Sequence, residues 1–397
     1  MIAFLLAQTI AITGGTVYPV SGPKLDNATV LIQGGRIAAV GTSVAIPAGA
    51  TRIDAAGKWI TPGLIDGASQ MGLREISAVQ ATNEGTLRGT EIAAAFNVLE
   101  GINPASTLIP VTRIAGVTTT LAVPGGGLIL GQAALIDLDG QTIEAMRIQS
   151  PAAMVADMSE DAKGAGGGSR AGVAQRLRRV FDDALEYARR RTDYNRAQMQ
   201  DLAASAADLD ALLPVLRGQL PLIIVANRRS DIETALRIGR EYKLRLILAG
   251  AAEGWMIAGQ IAAAGVPVLV QPLDNIPSYD ALGIRYENAA LLAEAGVKVA
   301  LLETETENAR NLRQQAGNAV AYGMSWEQAL RAVTLTPAEI FGVAETYGSL
   351  APGKVANVVV WSGDPFAFST AVEHVFIRGR EIPLRSRQTE LLERYRT

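Results

Sequence analysis

The chemistry open to this 397-residue chain comes mainly from carboxylates and amides, because it has one histidine and no cysteine. Acids at the ends of apolar runs could bind a hard cation through oxygen or transfer protons. Disulfides, thiolate metal sites and cysteine nucleophiles are excluded. The acids and other polar residues considered below for such chemistry are Asp66, Gln70, Asn227, Glu253, Glu303 and Thr304.

The single histidine, His374, lies in the β-rich run Ala371 to Ile377 near the C-terminus. Alternation along a strand puts Val375 and Ile377 on the opposite face. We therefore expect His374 to be a surface residue of a terminal strand, away from the candidate site.

Composition limits the classes of protein and partner. The chain is 49% hydrophobic and 19% charged, which predicts a globular protein. A net charge of -3 gives no reason to expect nucleic acid or an anionic membrane as a partner, and no run is long enough for a membrane span. Met1 to Ala7 is apolar and either is the end of a truncated signal peptide or simply precedes the first strand. A periplasmic or secreted location and a cytoplasmic one therefore both stay open.

Two patterns divide the chain. Residues 1–60 and 346–397 carry short β-rich runs and glycine turns, which predict two parts of one small β domain, the first a meander of antiparallel strands. Residues 61–345 alternate apolar strand runs with alanine-rich helices, which predicts a parallel α/β barrel of the (β/α)8 type. A helical insertion is expected at about 161–200. There Ser169 could cap an arginine-rich helix whose arginines form either an anion or partner surface or a solvated face.

One motif identifies a family. Ile60-Thr61-Pro62-Gly63-Leu64-Ile65-Asp66 closely resembles the PGxID signature of the amidohydrolase superfamily, especially its imidazolonepropionase-like branch. Thr336-Pro337-Ala338 and Gly363-Asp364-Pro365 resemble the closing segment of the same family, although Asn357 stands where that segment usually has Asp. The resemblance implies a (β/α)8 TIM barrel with a β-sandwich formed by both chain ends, and hydrolysis of C–N bonds by water activated on one or two divalent metals.

The metal ligands that this resemblance implies are not matched in the sequence. The family's His-x-His pair falls on Ala68 and Gln70, and its next histidine falls on Asn227. The following histidine is expected just after a predicted strand, where the sequence is Ala249-Gly250-Ala251-Ala252-Glu253. The catalytic aspartate aligns with Thr304, although a shift of one residue would place a glutamate there. The bridging residue of the fourth strand falls near Met154 and Val155.

Three hypotheses follow. The first is a non-catalytic homologue, a pseudoenzyme with no cofactor expected, which binds a ligand or pairs with an active homologue or with itself. The second is an atypical hydrolase of C–N bonds, including cyclic amides, with one Zn, Mn or Mg ion or with no metal. Its available acids are Asp66, Glu303 and Glu305, with Glu253 on another loop. The third is a small-molecule binding module at the barrel mouth, where Gly125-Gly126-Gly127 permits close backbone approach and Trp255 supplies stacking.

Overall fold

The computed structural model describes residues 9–274 and 276–396. The signal-peptide interpretation of Met1 to Ala7 lies outside these residues. The first strands are short because glycine turns and polar loops interrupt them: β1 (Thr9–Val17), β2 (Leu25–Gln33), β3 (Arg36–Gly41), β4 (Thr51–Asp54) and β5 (Trp59–Pro62).

The second sheet forms the barrel. Its strands are β6 (Leu64–Ser69), β7 (Val117–Ala122), β8 (Ile129–Asp137), β9 (Arg147–Asp157), β10 (Leu222–Ala226), β11 (Leu246–Gly250), β12 (Val268–Val270) and β13 (Val299–Leu301). They pair in chain order from β6 to β13. Ile223 lies opposite Ile247 in the parallel pair β10–β11, for example. Most side chains of these strands are buried, as expected for a parallel sheet that is covered on both faces.

One barrel strand departs from the predicted pattern. β8 runs antiparallel to both β7 and β9, because a short hairpin rather than a helical crossover connects it to β7. The barrel prediction is confirmed, but its third strand is reversed. The ends of the sheet then meet at β6 and β13, where Gly67 lets the two strands approach; a Cβ at this position would lie 3.2 Å from the carbonyl oxygen of Leu301.

Helices surround the barrel, and a further helix follows the last strand of the chain. Their bounds are α1 (Leu108–Arg113), α2 (Ile143–Met146), α3 (Arg170–Arg189), α4 (Arg191–Asn195), α5 (Ala206–Leu216), α6 (Arg229–Glu241), α7 (Ala258–Ala263), α8 (Asn288–Glu294), α9 (Leu312–Ala321), α10 (Trp326–Ala332), α11 (Leu335–Ile340) and α12 (Arg387–Tyr395). Among the described residues, none of these helices combines the length and the apolar character that a membrane crossing requires.

The long helix of the predicted insertion is α3. The Ser169 hydroxyl caps it by accepting a hydrogen bond from the Gly172 amide, and Val173, Leu177 and Phe181 face the body. Tyr187 completes that face, and the next residue, Ala188, is exposed. Its arginines form ion pairs with nearby acids, such as Arg178 with Glu241, which is typical of a solvated face.

The chain ends meet in one sheet. β14 (Val358–Trp361), β15 (Val372–Ile377) and β16 (Arg380–Ile382) join β1–β5 through antiparallel pairing of β14 with β5. The antiparallel meander was predicted correctly for β1–β3, but β4 and β5 both run parallel to β1. Alternate residues from both ends share one core, including Ile10, Ile12, Val30, Val358 and Val360.

Candidate functional site at the barrel mouth

A cavity of about 340 Å³ opens at the carboxyl ends of the barrel strands. Of the six predicted site residues, Gln70, Asn227 and Thr304 line it, whereas Asp66, Glu253 and Glu303 do not. The mouth of an α/β barrel is where its binding sites lie, since the loops that follow the strands converge there. Half of the predicted side chains therefore line this cavity, and most of its wall comes from residues that were not predicted.

The inner wall of the cavity is aliphatic. Successive strands contribute Val155, Ile223, Ala249, Val270 and Leu302, all of which are buried. Alternation along each strand explains this, because the positions that point into the barrel are filled with apolar side chains. An isolated charge placed against this wall would lose its hydration without gaining a partner.

Asp66 lies beneath the cavity, at the seam where the barrel closes. Its carboxylate accepts a hydrogen bond from the Glu303 amide at 3.1 Å and a long one from the Thr120 hydroxyl at 3.5 Å. Among the described residues no cation forms an ion pair with it. Complete burial raises the pKa of Asp66 to about 7, and the charge of Glu303 acts in the same direction. Asp66 thus joins β6 to the segment that follows β13.

Glu303 is held away from the cavity. Its two carboxylate oxygens accept hydrogen bonds from Gln271 Nε2 at 3.1 Å and Gln315 Nε2 at 2.7 Å. Burial raises the pKa of Glu303 even though these donors favour its ionised form. The carboxylate is therefore committed to structure, and the prediction that Glu303 faces the mouth was wrong because the chain turns immediately after β13.

Glu253 and Thr304 connect loops. Glu253 accepts hydrogen bonds from the backbone amides of Arg229 and Gly283, both at 2.8 Å. The Thr304 hydroxyl donates to Gln271 Oε1 at 2.7 Å, so it lines the cavity with its donor already used. The Glu253 carboxylate and the Thr304 hydroxyl are thus both engaged within the protein.

The segment 271–287 covers one side of the mouth, and a cluster of polar residues fastens it there. Asp280 accepts hydrogen bonds from Arg170 at 2.6 Å and from Asn227 Nδ2 at 2.8 Å. Arg170 also contacts Asp231 and Glu160, each at 2.9 Å. Arg170 and Asp280 could not be found by sequence reasoning, since they are 110 residues apart. We call this group the Arg170 cluster.

Arg285 is the cation of the cavity rim. Its guanidinium lies over the Trp255 ring, 4.7 Å from the centroid, and its Nε donates to Glu287 at 3.0 Å. Trp255 itself is not part of the wall, because its Nε1 donates to the carbonyl oxygen of Gly283. The predicted stacking residue thus supports Arg285. Asp274 lies on the same rim.

Gln70 has an uncommitted side-chain amide. Within residues 9–274 and 276–396 neither its Oε1 nor its Nε2 has a hydrogen-bond partner, although its backbone amide donates to Thr306. Two glycines enclose it: a Cβ at Gly85 would lie 2.8 Å from Gln70 Nε2, and one at Gly125 would lie 3.0 Å away. The amide is therefore held by steric contact and remains available to a ligand.

The glycine triplet 125–127 has a structural reason. Gly126 and Gly127 have φ values of 82° and 86°, and a Cβ at Gly127 would lie 2.9 Å from the carbonyl oxygen of Glu91. The close backbone approach that these glycines permit is thus to the chain itself and to Gln70.

Asp157 is a buried acid that the sequence predictions missed. It ends β9, where its carboxylate accepts a hydrogen bond from the Ser159 amide at 2.7 Å. Burial raises the pKa of Asp157 to about 6, with the charges of Asp161 and Asp280 adding to the effect. Its position directly after the apolar run Ala152 to Ala156 was the available signal.

Comparisons with known proteins place this geometry in a family. Residues 247–382 match the sequence profile of the amidohydrolase family. The crystal structure of an amidohydrolase from Thermotoga maritima MSB8 superposes with a TM-score of 0.87 at 28% identity, covering 95% of this chain and 100% of that one. Residues 247–382 thus resemble the amidohydrolase family in sequence, and the whole chain is similar in fold to an amidohydrolase.

Other relatives are more distant. Amidohydrolase tasK from Hapsidospora irregularis is 25% identical over 88% of this chain, and the chain spans 39% of the length of that relative. A prolidase complexed with N-methylphosphonate-L-proline shares the fold at 18% identity, with a TM-score of 0.57 over 94% of this chain and 99% of that one.

Many amidohydrolases bind divalent metal, so we tested whether the side chains here would suit one. In the part of the chain that the structure describes, no three His, Cys, Asp or Glu residues converge on one point. The positions that the family uses carry Ala68 and Gln70 on the cavity wall, with Asn227 committed to Asp280. Amides and methyl groups are poor ligands for zinc, and these residues do not fit the metal.

His374 lies outside this amidohydrolase barrel. It belongs to β15 of the terminal sheet, where its ring is hydrogen-bonded to Glu381 at 2.7 Å and its side chain is 28% exposed. The departure at Asn357 also has a structural explanation. Its Nδ2 donates to the buried carboxylate of Asp137 at 2.8 Å, where an aspartate would bring two negative charges together.

Proposed function

We propose that this amidohydrolase-family protein does not hydrolyse substrates through a metal centre and instead binds a small molecule at the barrel mouth as a non-catalytic homologue. The observation that carries this proposal is the aliphatic inner wall. Where water would have to be activated, the strands present side chains such as Val155, Ile223 and Ala249.

The acids near the mouth support the same conclusion. Asp66 joins the barrel seam, Glu303 is bound by two glutamines, and Glu253 holds two backbone amides. None of them is among the residues that line the described cavity. General acid or base catalysis needs a group within hydrogen-bond reach of the substrate.

Elemental analysis of the purified protein tests the proposal. After exposure to Zn, Mn and Mg and removal of free metal, we expect well below one ion per chain. Dipeptides that end in proline and simple anilides should be cleaved no faster than in buffer. One tightly held ion per chain, together with cleavage that a chelator abolishes, would contradict the proposal.

A matched variant makes that measurement sharper. The double substitution Ala68→His with Gln70→His restores the imidazole pair that the family resemblance implies at the end of β6. We expect it to raise zinc retention above that of the unmodified protein, because imidazole is a strong zinc ligand. Zinc retention in this variant alone would show that the measurement detects a site when ligands are present.

A second candidate is an atypical C–N hydrolase that uses a carboxylate, and the raised pKa of Asp66 is the observation that favours it. Ser69 lines the cavity and its hydroxyl lies 2.9 Å from that of Thr120, which contacts Asp66. A proton could pass along this route. If any cleavage is found, Asp66→Asn should reduce it severely and Glu253→Gln should not; equal activity in both variants would eliminate this candidate.

Membership in the imidazolonepropionase-like branch and pairing with an active homologue or a second copy of the chain are further parts of the proposal. The sequence motifs support the branch. Size-exclusion chromatography with light scattering measures the mass of the assembly directly, and a monomer at all concentrations would remove self-association.

A further inference from the structure

A second groove, of about 680 Å³, lies where the terminal sheet meets the helices around the barrel. Tyr18 follows β1, Trp59 begins β5 and Trp326 begins α10, and all three side chains line this groove. Among the described residues, none lines both this groove and the cavity at the barrel mouth. We call it the aromatic groove, and the function proposed above does not use it.

The three aromatic side chains form one continuous surface. The ring centroid of Tyr18 lies 4.7 Å from that of Trp59 and 4.6 Å from that of Trp326. Trp326 is held in place because its Nε1 donates a hydrogen bond to Asp364 at 3.0 Å. All three side chains are partly exposed, although aromatic side chains contribute most to binding and stability when they are buried. The groove therefore presents a preorganised apolar surface to solvent.

The polar groups on this surface are mainly hydrogen-bond donors. The Tyr18 hydroxyl, Trp59 Nε1 and Gln328 Nε2 have no hydrogen-bond partner within residues 9–274 and 276–396. Gln328 Oε1 is already used, since it accepts from the Ser325 amide at 3.1 Å. A ligand that covers the groove must therefore offer acceptors to these donors and bring few donors of its own.

The charge that the groove leaves without a partner is negative. Both cations that line it are already bound to a carboxylate, Lys24 to Asp26 at 3.3 Å and Arg331 to Glu339. Glu327 also lines the groove, is exposed, and forms no ion pair in the part of the chain that the structure describes. A ligand with a basic group beside Glu327 would complement this charge.

The titration of Tyr18 has the sign that this charge distribution implies. Burial raises the pKa of Tyr18, and the charges of Asp364, Asp26 and Glu327 act in the same direction. The aromatic groove therefore favours a cationic ligand over an anionic one.

Val20 borders the groove in a strained conformation. Its φ of 66° lies in the left-handed region, which a β-branched residue rarely adopts. The Leu350 amide fixes this turn by donating to the Pro19 carbonyl oxygen at 2.9 Å. Backbone strain of this kind is concentrated at sites that bind a ligand, which agrees with a binding role for the groove.

A proline-rich chain in the polyproline II conformation has the properties that this surface requires. It makes no internal hydrogen bonds, so its carbonyl oxygens are free to accept, and proline has no N–H to donate. Proline-rich segments of this kind bind in grooves lined by aromatic side chains. We propose that the aromatic groove binds a proline-rich protein segment in this conformation, with a basic residue of the segment beside Glu327.

Blocked peptides of about eight residues test the ligand class with the full chain. One is an oligoproline that ends in arginine, the second ends in glutamate, and the third is a glycine–serine peptide that ends in arginine. In calorimetric titrations we expect the first to bind most tightly and the second about fivefold more weakly. The third should not bind measurably, because it has no rings to pack and loses more entropy on ordering. An uncharged maltooligosaccharide, which also stacks on aromatic rings but brings many donors, should not bind either.

Substitution of Tyr18 tests the aromatic surface. Tyr18→Ala removes the ring that contacts both tryptophans and should lower the affinity for the oligoproline–arginine peptide at least about tenfold. Tyr395→Ala, whose side chain is 68% exposed on α12, is the matched control and should leave the affinity unchanged. A thermal melt of each variant verifies folding.

Substitution of Glu327 keeps the test valid if Tyr18→Ala does not fold. Glu327→Gln should bring the affinities for the arginine and glutamate peptides to within about twofold of each other. Glu294→Gln, at another exposed position, should keep the preference for arginine. Gln70→Leu, at the barrel mouth, should bind both peptides as the unmodified protein does.

Four results would each overturn this proposal. They are binding of the glycine–serine peptide or the oligosaccharide as tight as that of the oligoproline, no binding of any peptide, an unchanged affinity in folded Tyr18→Ala, and an unchanged arginine preference in Glu327→Gln. Loss of peptide binding in Gln70→Leu would also contradict it, because the peptide would then occupy the barrel mouth.

Discussion

Two buried carboxylates of the barrel, Asp137 beside the terminal sheet and Asp66 beneath the cavity, have different surroundings. Asp137 ends β8 at the base and is bound by Arg378 at 2.6 Å, Asn357 at 2.8 Å, Thr119 at 2.9 Å and Tyr347 at 3.0 Å. Asp66 at the mouth has one close backbone donor and, within the described chain, no cation. Both are completely buried.

The different surroundings of Asp137 and Asp66 indicate different roles for the two carboxyl groups. At the base, burial raises the pKa of Asp137, and the Arg378 cation together with the hydrogen bonds from Asn357 and Thr119 acts against that rise. Beneath the mouth, hydrogen bonds alone oppose burial, and the pKa of Asp66 rises to about 7. The base stabilises the molecule, whereas the mouth tolerates an unfavourable group beside its cavity.

The largest expected effect comes from removing the cation at the base. Arg378→Met keeps the aliphatic stem but leaves Asp137 buried without its counter-charge, which should lower the free energy of unfolding by about 3–5 kcal/mol. Denaturant unfolding at neutral pH measures it. Arg380→Met is the control, since that side chain is 63% exposed in its pair with Asp139, and it should cost less than about 1 kcal/mol. Equal decreases in the free energy of unfolding for the two variants would mean that the burial of Asp137 does not add to the cost of losing its cation.

Asp66 should make the free energy of unfolding depend on pH. Folded Asp66 keeps its proton up to about pH 7, whereas in the unfolded chain it loses it near pH 4. The folded state thus binds more protons in this window, so this stabilising contribution is present below pH 4 and is lost as the pH rises through 7. The free energy of unfolding of the unmodified protein should fall by an amount on the order of 3 kcal/mol between pH 4 and 8 because of Asp66. Asp66→Asn should abolish this decrease.

Unfolding curves at several pH values give this slope for both proteins. Asp26→Asn, at an exposed position, should keep the slope of the unmodified chain. An identical slope in Asp66→Asn would show that Asp66 ionises normally.

The sequence predicted the architecture better than the side-chain directions. Apolar runs with turn signals located most barrel strands and the pairing of the chain ends, but strand direction leaves no mark in such a run, so the reversed β8 was not foreseen. Gln70, Asn227 and Thr304 line the cavity. Glu303 does not, because its orientation depends on Gln271 and Gln315 across the fold.

A smaller effect is expected at the Arg170 cluster, which fastens the segment 271–287. Arg170→Ala removes the contacts to Asp231 and Asp280 and should cost about 2 kcal/mol. The cost is less than at the base because these carboxylates are 8% and 13% exposed, whereas Asp137 is completely buried. Hydrogen exchange of residues 276–287 should accelerate. Arg189→Ala, whose side chain is 72% exposed, should leave the exchange unchanged. Slow exchange in both would mean that other contacts hold the segment.

The smallest expected effects come from removing single hydroxyls that contact Asp137 and Asp66. Tyr347→Phe removes a 3.0 Å donor from Asp137 and should cost about 1.5 kcal/mol at neutral pH, because that carboxyl group is completely buried and water cannot replace the lost donor. Thr120→Val removes a 3.5 Å contact to Asp66 and a 2.9 Å contact to the Ser69 hydroxyl. It should cost less than Tyr347→Phe, since the first bond is long and the second joins two uncharged hydroxyls. If Thr120→Val proved the costlier change, the mouth would be as tightly organised as the base, and the raised pKa of Asp66 would have to arise from something other than a shortage of partners.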